Sequence, residues 1–318
     1  MKRLTVALSI CLCLLGGISS AQAAYPERPI TIVLPQGAGS GADNQLRLIL
    51  PFMKEALGVD IVVEYKNGAG GAMGSNYYMT VKPDGYTLLN YSEPHVTLQS
   101  IFTKTSYNNR NLTPVFGQNS NADIISVRTE SPFKTFQDLV DYAKANPGKL
   151  KIGNTASYSV NHMTYAQLIK DTGIEAVRVP FESGGKMNLA LLAGDIDAAC
   201  SNMDWVDIYY PGKIRALGIA DTKRPHPDVP TFTELGYPGL VDIRGMGIFY
   251  VHSNAPQEAI DYLREKLAPL CHNEEVKAVV NKNGKIFEGY TWQEAKELAD
   301  SLEKKAADLK PTLEATLH

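Results

Sequence analysis

Four segments rich in glycine and serine are the part of this sequence best suited to chemistry. They span residues 35–43, 67–74, 153–159 and 180–185, and each lies between a short apolar run and a helical pattern. Glycine lets the backbone approach a ligand closely, and the free N–H groups at a helix start attract an anion. One such loop is equally well explained as a tight turn with an N-cap. Four of them together predict a site for a carboxylate or a phosphate.

Catalytic and cofactor motifs fit the sequence poorly. The glycines at 37–41 and 68–71 do not match the G-x-G-x-x-G pattern of dinucleotide binding, and no G-x-S-x-G segment marks a nucleophile. Ser157 and Ser159 have His162 nearby but no identifiable third partner. Cysteine and histidine show no metal-site spacing. We therefore expect a protein that is not an enzyme and that needs no cofactor or metal, with a hydrolase as a weaker alternative.

Strand and helix patterns alternate along the chain, as in proteins built on parallel sheets with helices on both faces. Strands are predicted at residues 30–34, 60–65, 86–91, 124–127, 150–153, 176–179, 196–200, 216–220 and 247–251. Helices are predicted at 46–57, 72–81, 136–145, 161–170, 186–192, 256–270, 274–281 and from 292 onward, the last opened by a Thr291-x-x-Glu294 capping box. Ligands of open parallel sheets lie beyond the carboxyl ends of the strands, where the four loops are.

The beginning of the chain predicts export. Two basic residues precede an apolar stretch, and the small-x-small pattern at 21–23 predicts that a signal peptide is cleaved near Ala23. The stretch is shorter than the ~20 residues that span a bilayer. A net charge of −3 argues against a nucleic-acid partner. Of four cysteines, Cys200 and Cys271 lie beyond the signal peptide, and we expect both to be buried free thiols.

Motifs that follow one another along the chain after the signal peptide resemble those of one protein family. They are PITIVLP at 29–35 with a loop ending in Asp43, NGAGG at 67–71 with Gly74, KPDGYTLL at 82–89, ANPGK at 145–149, VP at 179–180, LLAG at 191–194, KIRAL at 213–217, DVPT at 228–231 and E-x-G at 234–236. The series is similar to the periplasmic solute receptors of tripartite tricarboxylate transporters, also called Bug proteins. The resemblance implies a periplasmic protein that closes on a small mono-, di- or tricarboxylate and delivers it to the membrane permease subunits of a transporter.

The resemblance also implies a fold. It is an α/β, two-lobed type II periplasmic-binding-protein fold in which each lobe is a mainly parallel sheet flanked by helices. The expected division is a signal peptide at 1–23, lobe one at 24–120 plus 245–318, and lobe two at 121–244, with a hinge in the strands near 119–125 and 243–247. We expect a monomer. A sensor that presents the same closed cleft to a histidine kinase is the alternative function.

Carried over by position, the family's ligand-binding residues lie in the four loops and after two further strands. They are Gly37, Gly39, Ser40, Gly41, Asp43, Ala69, Gly70, Met73, Ser92, Thr155, Ser157, Ser159, His162, Ser183, Gly184, Ser201 and Asn202. Three departures from the family pattern leave the ligand open: Gln36 replaces an apolar residue, residues 66–67 replace Arg-Pro, and Ser201 stands where Asp is frequent. The neutral Ser201 argues against a ligand ammonium group. Trp205, just beyond it, is expected at the cleft edge.

Overall fold

The computed structural model describes residues 25–155, 157–283 and 287–317, so the predicted signal peptide lies outside the described residues. The strands within them are β1 (Ile30–Leu34), β2 (Ile61–Tyr65), β3 (Thr87–Glu93), β4 (Leu112–Arg128), β5 (Leu150–Asn154), β6 (Ala176–Pro180), β7 (Ala198–Asn202), β8 (Ile214–Ile219), β9 (Arg244–His252) and β10 (Gly289–Tyr290). The α-helices are α1 (Gly41–Leu57), α2 (Ala72–Tyr78), α3 (His95–Phe102), α4 (Phe136–Ala145), α5 (Val160–Thr172), α6 (Gly184–Ala193), α7 (Gln257–Leu267), α8 (Glu274–Lys282) and α9 (Trp292–Ala315).

Two sheets share the long strand β4. In the first sheet the strand order is β2-β1-β3-β9-β4, with β10 also on β4. There β1 is parallel to β2 and β3, while β9 is antiparallel to β3 and β4. In the second sheet β5 is parallel to β6 and β7, and β4 is antiparallel to β7 and β8. The two-lobed α/β fold is confirmed, and its antiparallel pairs all involve β4 or β9.

The two largest differences from the sequence prediction are in β4 and α3. A strand was predicted only at 124–127, whereas β4 begins at Leu112. Its pairing with β9 shifts register between Pro114 and Phe116 and again farther along, and such irregularities interrupt the alternation by which a strand is recognised. The helix α3, which was not predicted, is eight residues long and buries Val96 and Leu98 among polar neighbours. An apolar pattern this short carries little periodicity.

The last helix packs with the second sheet. Its side chains Leu302, Ala306, Leu309 and Leu313 belong to the same buried cluster as residues of α4, α5 and β5. The amino-terminal end of α9 lies beside the first sheet, where Ala295 contacts the cluster around β3 and β9. The lobe boundaries stay a prediction, and so does the hinge, but α9 is packed against both parts of the molecule.

Two smaller predictions are confirmed. The Thr291 hydroxyl accepts a hydrogen bond from the Glu294 N–H, and the Glu294 side chain accepts one from the Thr291 N–H, which completes the capping box of α9. Cys200 and Cys271 are free thiols, and both are buried.

Candidate functional site

A buried carboxylate holds the first glycine loop. Ser40 caps α1, and its hydroxyl accepts a hydrogen bond from the Asp43 N–H at 3.2 Å. The Asp43 carboxylate accepts bonds from the Gly39 N–H at 2.7 Å, the Tyr65 hydroxyl at 2.8 Å and Arg47 at 3.1 Å. Burial acts to raise the pKa of Asp43, but these donors outweigh it and the pKa lies below its usual range. The Gly39 amide is thus already engaged inside the protein.

The second glycine loop is fixed against Tyr91. Gly70 and Gly71 have φ angles of 62° and 98°, which glycine adopts without strain. A Cβ atom on Gly71 would lie 2.5 Å from the Tyr91 hydroxyl, so only glycine fits there. The Gly70 carbonyl accepts hydrogen bonds from the Tyr91 hydroxyl and, at 3.1 Å, from Gln99 Nε2. The loop backbone is therefore held in one conformation by side chains beneath it.

Hydrogen bonds connect the third loop to β4. Ser159 caps α5, and the Thr155 hydroxyl donates towards Ser159 Oγ at 3.1 Å and Asn161 Oδ1 at 2.6 Å. Asn161 Nδ2 in turn donates to Asp123 Oδ1 at 2.7 Å, and the Thr164 hydroxyl donates to Asp123 Oδ2 at 2.6 Å. Burial raises the pKa of Asp123 to about 7. These hydrogen bonds therefore fix the conformation of the third loop on the side that faces β4.

His162 is a structural residue of the same loop. It is fully buried, and its Nδ1 accepts a hydrogen bond from the Tyr158 N–H at 3.1 Å. Its Nε2 lies 2.9 Å from the Thr316 hydroxyl, beyond the end of α9. Burial, with a smaller effect from Arg178, lowers the pKa of His162 to about 3, so the ring is neutral. Both ring nitrogens are occupied within the protein.

One cavity, which we call the interlobe cavity, joins two of the predicted loops. Its volume is about 500 Å³, and it brings together the predicted site residues Ala69, Gly70 and Met73, from the predicted lobe one, and Ser157, from the predicted lobe two. The remaining lining residues, which the sequence did not single out, are Ala72, Asn76, His95, Gln99, Thr103, Lys104 and Tyr158. Burial lowers the pKa of His95 to about 4, so its ring is neutral as well.

A second cavity, which we call the sheet cavity, opens on the first sheet. Its volume is about 210 Å³, and Ser92 is the predicted site residue in its wall. The other lining residues are Gln36, Ala42, Gln45, Asn90, Tyr91, Gln118, Asn121, Gly245 and Gly247. It lies beyond the end of β1 and beside β3, β4 and β9, which is where ligands of α/β sheets are expected. Tyr91 in the wall of this cavity donates a hydrogen bond through its hydroxyl to the carbonyl of Gly70, which lines the interlobe cavity.

The sequence analysis did not predict the amide residues that line the sheet cavity. Asn90 belongs to β3, and Gln118 and Asn121 belong to the irregular part of β4. The polar run QNSN at 118–121, between apolar stretches of one strand, was the signal that could have found them. A polar run inside a buried strand marks either a bulge or a cavity.

The other predicted residues line neither of these cavities, and their contact with a ligand stays a prediction. They are Gly37, Gly39, Ser40, Gly41, Asp43, Thr155, Ser159, His162, Ser183, Gly184, Ser201 and Asn202. A Cβ atom on Gly37 would lie 3.8 Å from Asn67 Nδ2, so the first two loops are neighbours. Ser201 is 2% exposed, and its hydroxyl lies 2.9 Å from that of Ser126. Asn202 Oδ1 is buried without a hydrogen-bond partner among the described residues.

Trp205 covers the start of α6. Ser183 caps this helix, and a Cβ atom on Gly184 would lie 3.0 Å from the Trp205 indole. Glycine at this position therefore lets the indole approach the first turn of the helix. The placement of Trp205 at the cleft edge stays a prediction.

In the part of the chain that the structure describes, no group of three or more His, Cys, Asp or Glu side chains is arranged to hold a metal ion. Among the same residues, no helix is both long and apolar enough to cross a membrane.

Comparison with known proteins gives a family and a fold. Residues 46–310 match the sequence model of the family described as tripartite tricarboxylate transporter family receptor. A Cupriavidus necator protein described as "UPF0065 protein in gbd 5'region" is 32% identical over 227 residues, 70% of this chain and 69% of that protein. BugT of Bordetella pertussis is 29% identical over 248 residues, 76% of each chain.

Two solved structures of Rhodopseudomonas palustris proteins share the fold. Rpa4515 with adipate is 23% identical with a TM-score of 0.76, and the match covers 91% of this chain and 98% of that one. MatC with bound malate is 24% identical with a TM-score of 0.72, covering 91% of this chain and 100% of that one.

Proposed function

This chain belongs to the tripartite tricarboxylate transporter receptor family, as its motifs indicated, and we propose that it captures a small organic carboxylate between its two lobes. It then delivers the ligand to the membrane permease subunits of its transporter. Proteins of this family are periplasmic solute-binding receptors. We place this protein in the periplasm as a monomer, with its signal peptide removed near Ala23.

The interlobe cavity is the observation that carries the proposal. Ala69, Gly70 and Met73 of the second loop and Ser157 of the third loop line one volume, although the two loops follow strands of different sheets. A ligand held by both loops stabilises the arrangement in which the lobes lie together. The adipate and malate named for the two solved structures support a carboxylate as the ligand here.

In this proposal, uncharged hydrogen-bond donors of the interlobe cavity bind the carboxylate. The interlobe cavity offers loop backbone, the Ser157 hydroxyl and the amides of Asn76 and Gln99, while Lys104 is exposed at the edge. Hydrogen bonds from preorganised neutral donors strengthen in a cavity that excludes water. The affinity of such a site depends less on salt than that of a site built from surface charges.

Binding without turnover is supported by the state of His162. A general base needs a free ring nitrogen within hydrogen-bond reach of the nucleophile. In His162 one nitrogen accepts from the Tyr158 N–H and the other faces Thr316. The Ser157 hydroxyl accepts a hydrogen bond from Arg178 at 3.1 Å. These contacts favour a receptor over a hydrolase.

A ligand screen tests the proposal. A ligand that binds only the folded protein at a hundredfold excess over Kd stabilises it by about 2.7 kcal/mol, which raises Tm by several degrees. Mono-, di- and tricarboxylates are expected to include such ligands, and nucleotides and neutral sugars are not. A shift produced by a neutral sugar and by no carboxylate would contradict carboxylate capture. Delivery is tested by uptake into proteoliposomes that contain the permease subunits, with and without this protein.

A further inference from the structure

The sheet cavity owes its space to two glycines on a central strand. Gly245 and Gly247 of β9 pair with Asn121 and Gln118 of β4, and Gly247 also pairs with Ser92 of β3. Residues two apart on a strand share a face, so both glycines leave the same face of the sheet open. A Cβ atom on Gly247 would lie 3.2 Å from Gln118 Cγ. The Gln118 side chain therefore lies over this glycine.

Two amide atoms at this cavity are buried without a hydrogen-bond partner among the described residues. They are the donor Nε2 of Gln45 and the acceptor Oε1 of Gln118. Gln118 is 2% exposed, so water reaches it only through the cavity. Gln45 belongs to α1, and the two atoms thus come from different elements around one space. A buried polar atom without a partner costs free energy, which a ligand group that pairs with it recovers.

The lining selects the chemistry of that group. None of the described residues that line the sheet cavity carries a formal charge. A carboxylate only accepts hydrogen bonds, so it would leave Gln118 Oε1 unpaired, and an ammonium group only donates, so it would leave Gln45 Nε2 unpaired. A hydroxyl both donates and accepts. A volume of about 210 Å³ is less than that of a typical site for a whole ligand and suits one part of a ligand.

We propose that the sheet cavity binds hydroxyl groups of the ligand, so that this protein selects a hydroxylated carboxylate over the unsubstituted acid of the same length. The inference rests on the proposed function, with the carboxylate in the interlobe cavity, whose Gly70 carbonyl is bonded by Tyr91 of the sheet cavity. Gln36 adds a further amide to the wall of the sheet cavity.

Calorimetry with matched acids tests the inference. The pairs are adipate with galactarate, and succinate with malate and tartrate. The hydroxylated member of at least one pair is expected to bind ten times more tightly or better. Gln118→Met and Gln45→Met remove the amides at nearly constant size, and we expect each to reduce that preference to threefold or less while affinity for the unsubstituted acid is kept. Gln137→Met, which removes an exposed amide of α4 that bonds Asp141, is the matched control and should keep the preference.

The outcomes separate the two proposals. Equal affinity within every pair overturns the hydroxyl inference and leaves carboxylate capture standing. A preference that survives in both amide variants also overturns it. If no carboxylate binds the wild-type protein, both proposals are wrong. Thermal unfolding of each variant shows that it is folded, and Gln45, which is only partly buried, provides a variant independent of the tightly packed Gln118.

Discussion

Asparagine in place of Asp43 is expected to destabilise the protein by loosening the first glycine loop from within. The carboxylate of Asp43 is 1% exposed and accepts hydrogen bonds from the Gly39 N–H and the Tyr65 hydroxyl. Asparagine has nearly the same shape but carries an NH₂ group in place of one oxygen. In the variant the Tyr65 hydroxyl must accept from this NH₂ group instead of donating to an oxygen, and neither bond is made to a charged group any longer.

The size of the effect follows from these contacts. Hydrogen bonds to a charged group are each worth about 1.5–3 kcal/mol and those between neutral groups about 0.5–1.5 kcal/mol, so turning both bonds into neutral ones costs about 2–3 kcal/mol. Arg47 adds under ~1 kcal/mol, because its side chain is 56% exposed and its ion pair with Asp43 is screened by solvent. We expect the free energy of unfolding to fall by about 2–4 kcal/mol in Asp43→Asn.

The difference in the free energy of unfolding between wild type and Asp43→Asn should become smaller as the pH falls. Since the folded pKa of Asp43 is depressed, its stabilisation is complete above the unfolded pKa of ~3.9 and is lost as the pH falls through the folded pKa. Urea unfolding followed by circular dichroism at pH 7, 4.5 and 3 measures it. The gap between wild type and variant should be full at pH 7 and smallest at pH 3.

A matched control variant removes a carboxylate that is exposed. Asp141→Asn replaces an exposed carboxylate of α4 that bonds the Gln137 amide, and it should change stability by less than ~0.5 kcal/mol. If Asp43→Asn keeps its stability but loses carboxylate affinity, Asp43 contacts the ligand and its role as an internal support is wrong.

Three further outcomes are expected. Gly70→Val should abolish carboxylate binding in calorimetry while unfolding stays cooperative. The reason is that φ is 62° at this position and a Cβ atom would lie 3.4 Å from a neighbouring amide. Unchanged affinity would show that this loop is only a turn. Trp205→Phe should remove the change of fluorescence on carboxylate binding and Trp292→Phe should keep it; a change that survives without Trp205 would place this residue away from the cleft. Asp123→Asn should gain stability relative to wild type as the pH rises from about 4 to 7, by up to ~4 kcal/mol. Burial raises the pKa of Asp123 to about 7, so over this range the folded wild type holds a proton that the unfolded chain has lost. A difference in urea unfolding that does not depend on pH would argue against a raised pKa.

Regular periodicity made much of the fold predictable from the sequence. The strand at 30–34 and the helix at 136–145 were predicted at the residues that form them, because the first is a compact apolar run and the second has apolar residues at helical spacing with clear end signals. The first half of β4 was missed because its bulges break alternation, and α3 because it is short. Pairing along β4 depends on contacts with distant strands, which a local pattern does not contain.

In the candidate site, too, the sequence predicted some features and not others. The glycine loops were located from composition, and Ala69, Gly70, Met73 and Ser157 of these loops line one cavity. What the sequence did not show is which polar groups already have partners. Asp43 and His162 were predicted to face a ligand, but both make several bonds within their own loops. Satisfaction of a buried polar group is a property of the folded surroundings.

The packing of α9 has a consequence for the order in which the protein can fold. Leu302, Leu309 and Leu313 belong to a core whose other large side chains, Leu98 and members between Ile125 and Ile243, precede them along the chain and are synthesised before them. Burying three leucines contributes roughly 5–9 kcal/mol, a large share of the 5–15 kcal/mol that stabilises a typical domain. An emerging chain that lacks them is therefore only marginally stable, and this core cannot be complete before α9 has been synthesised.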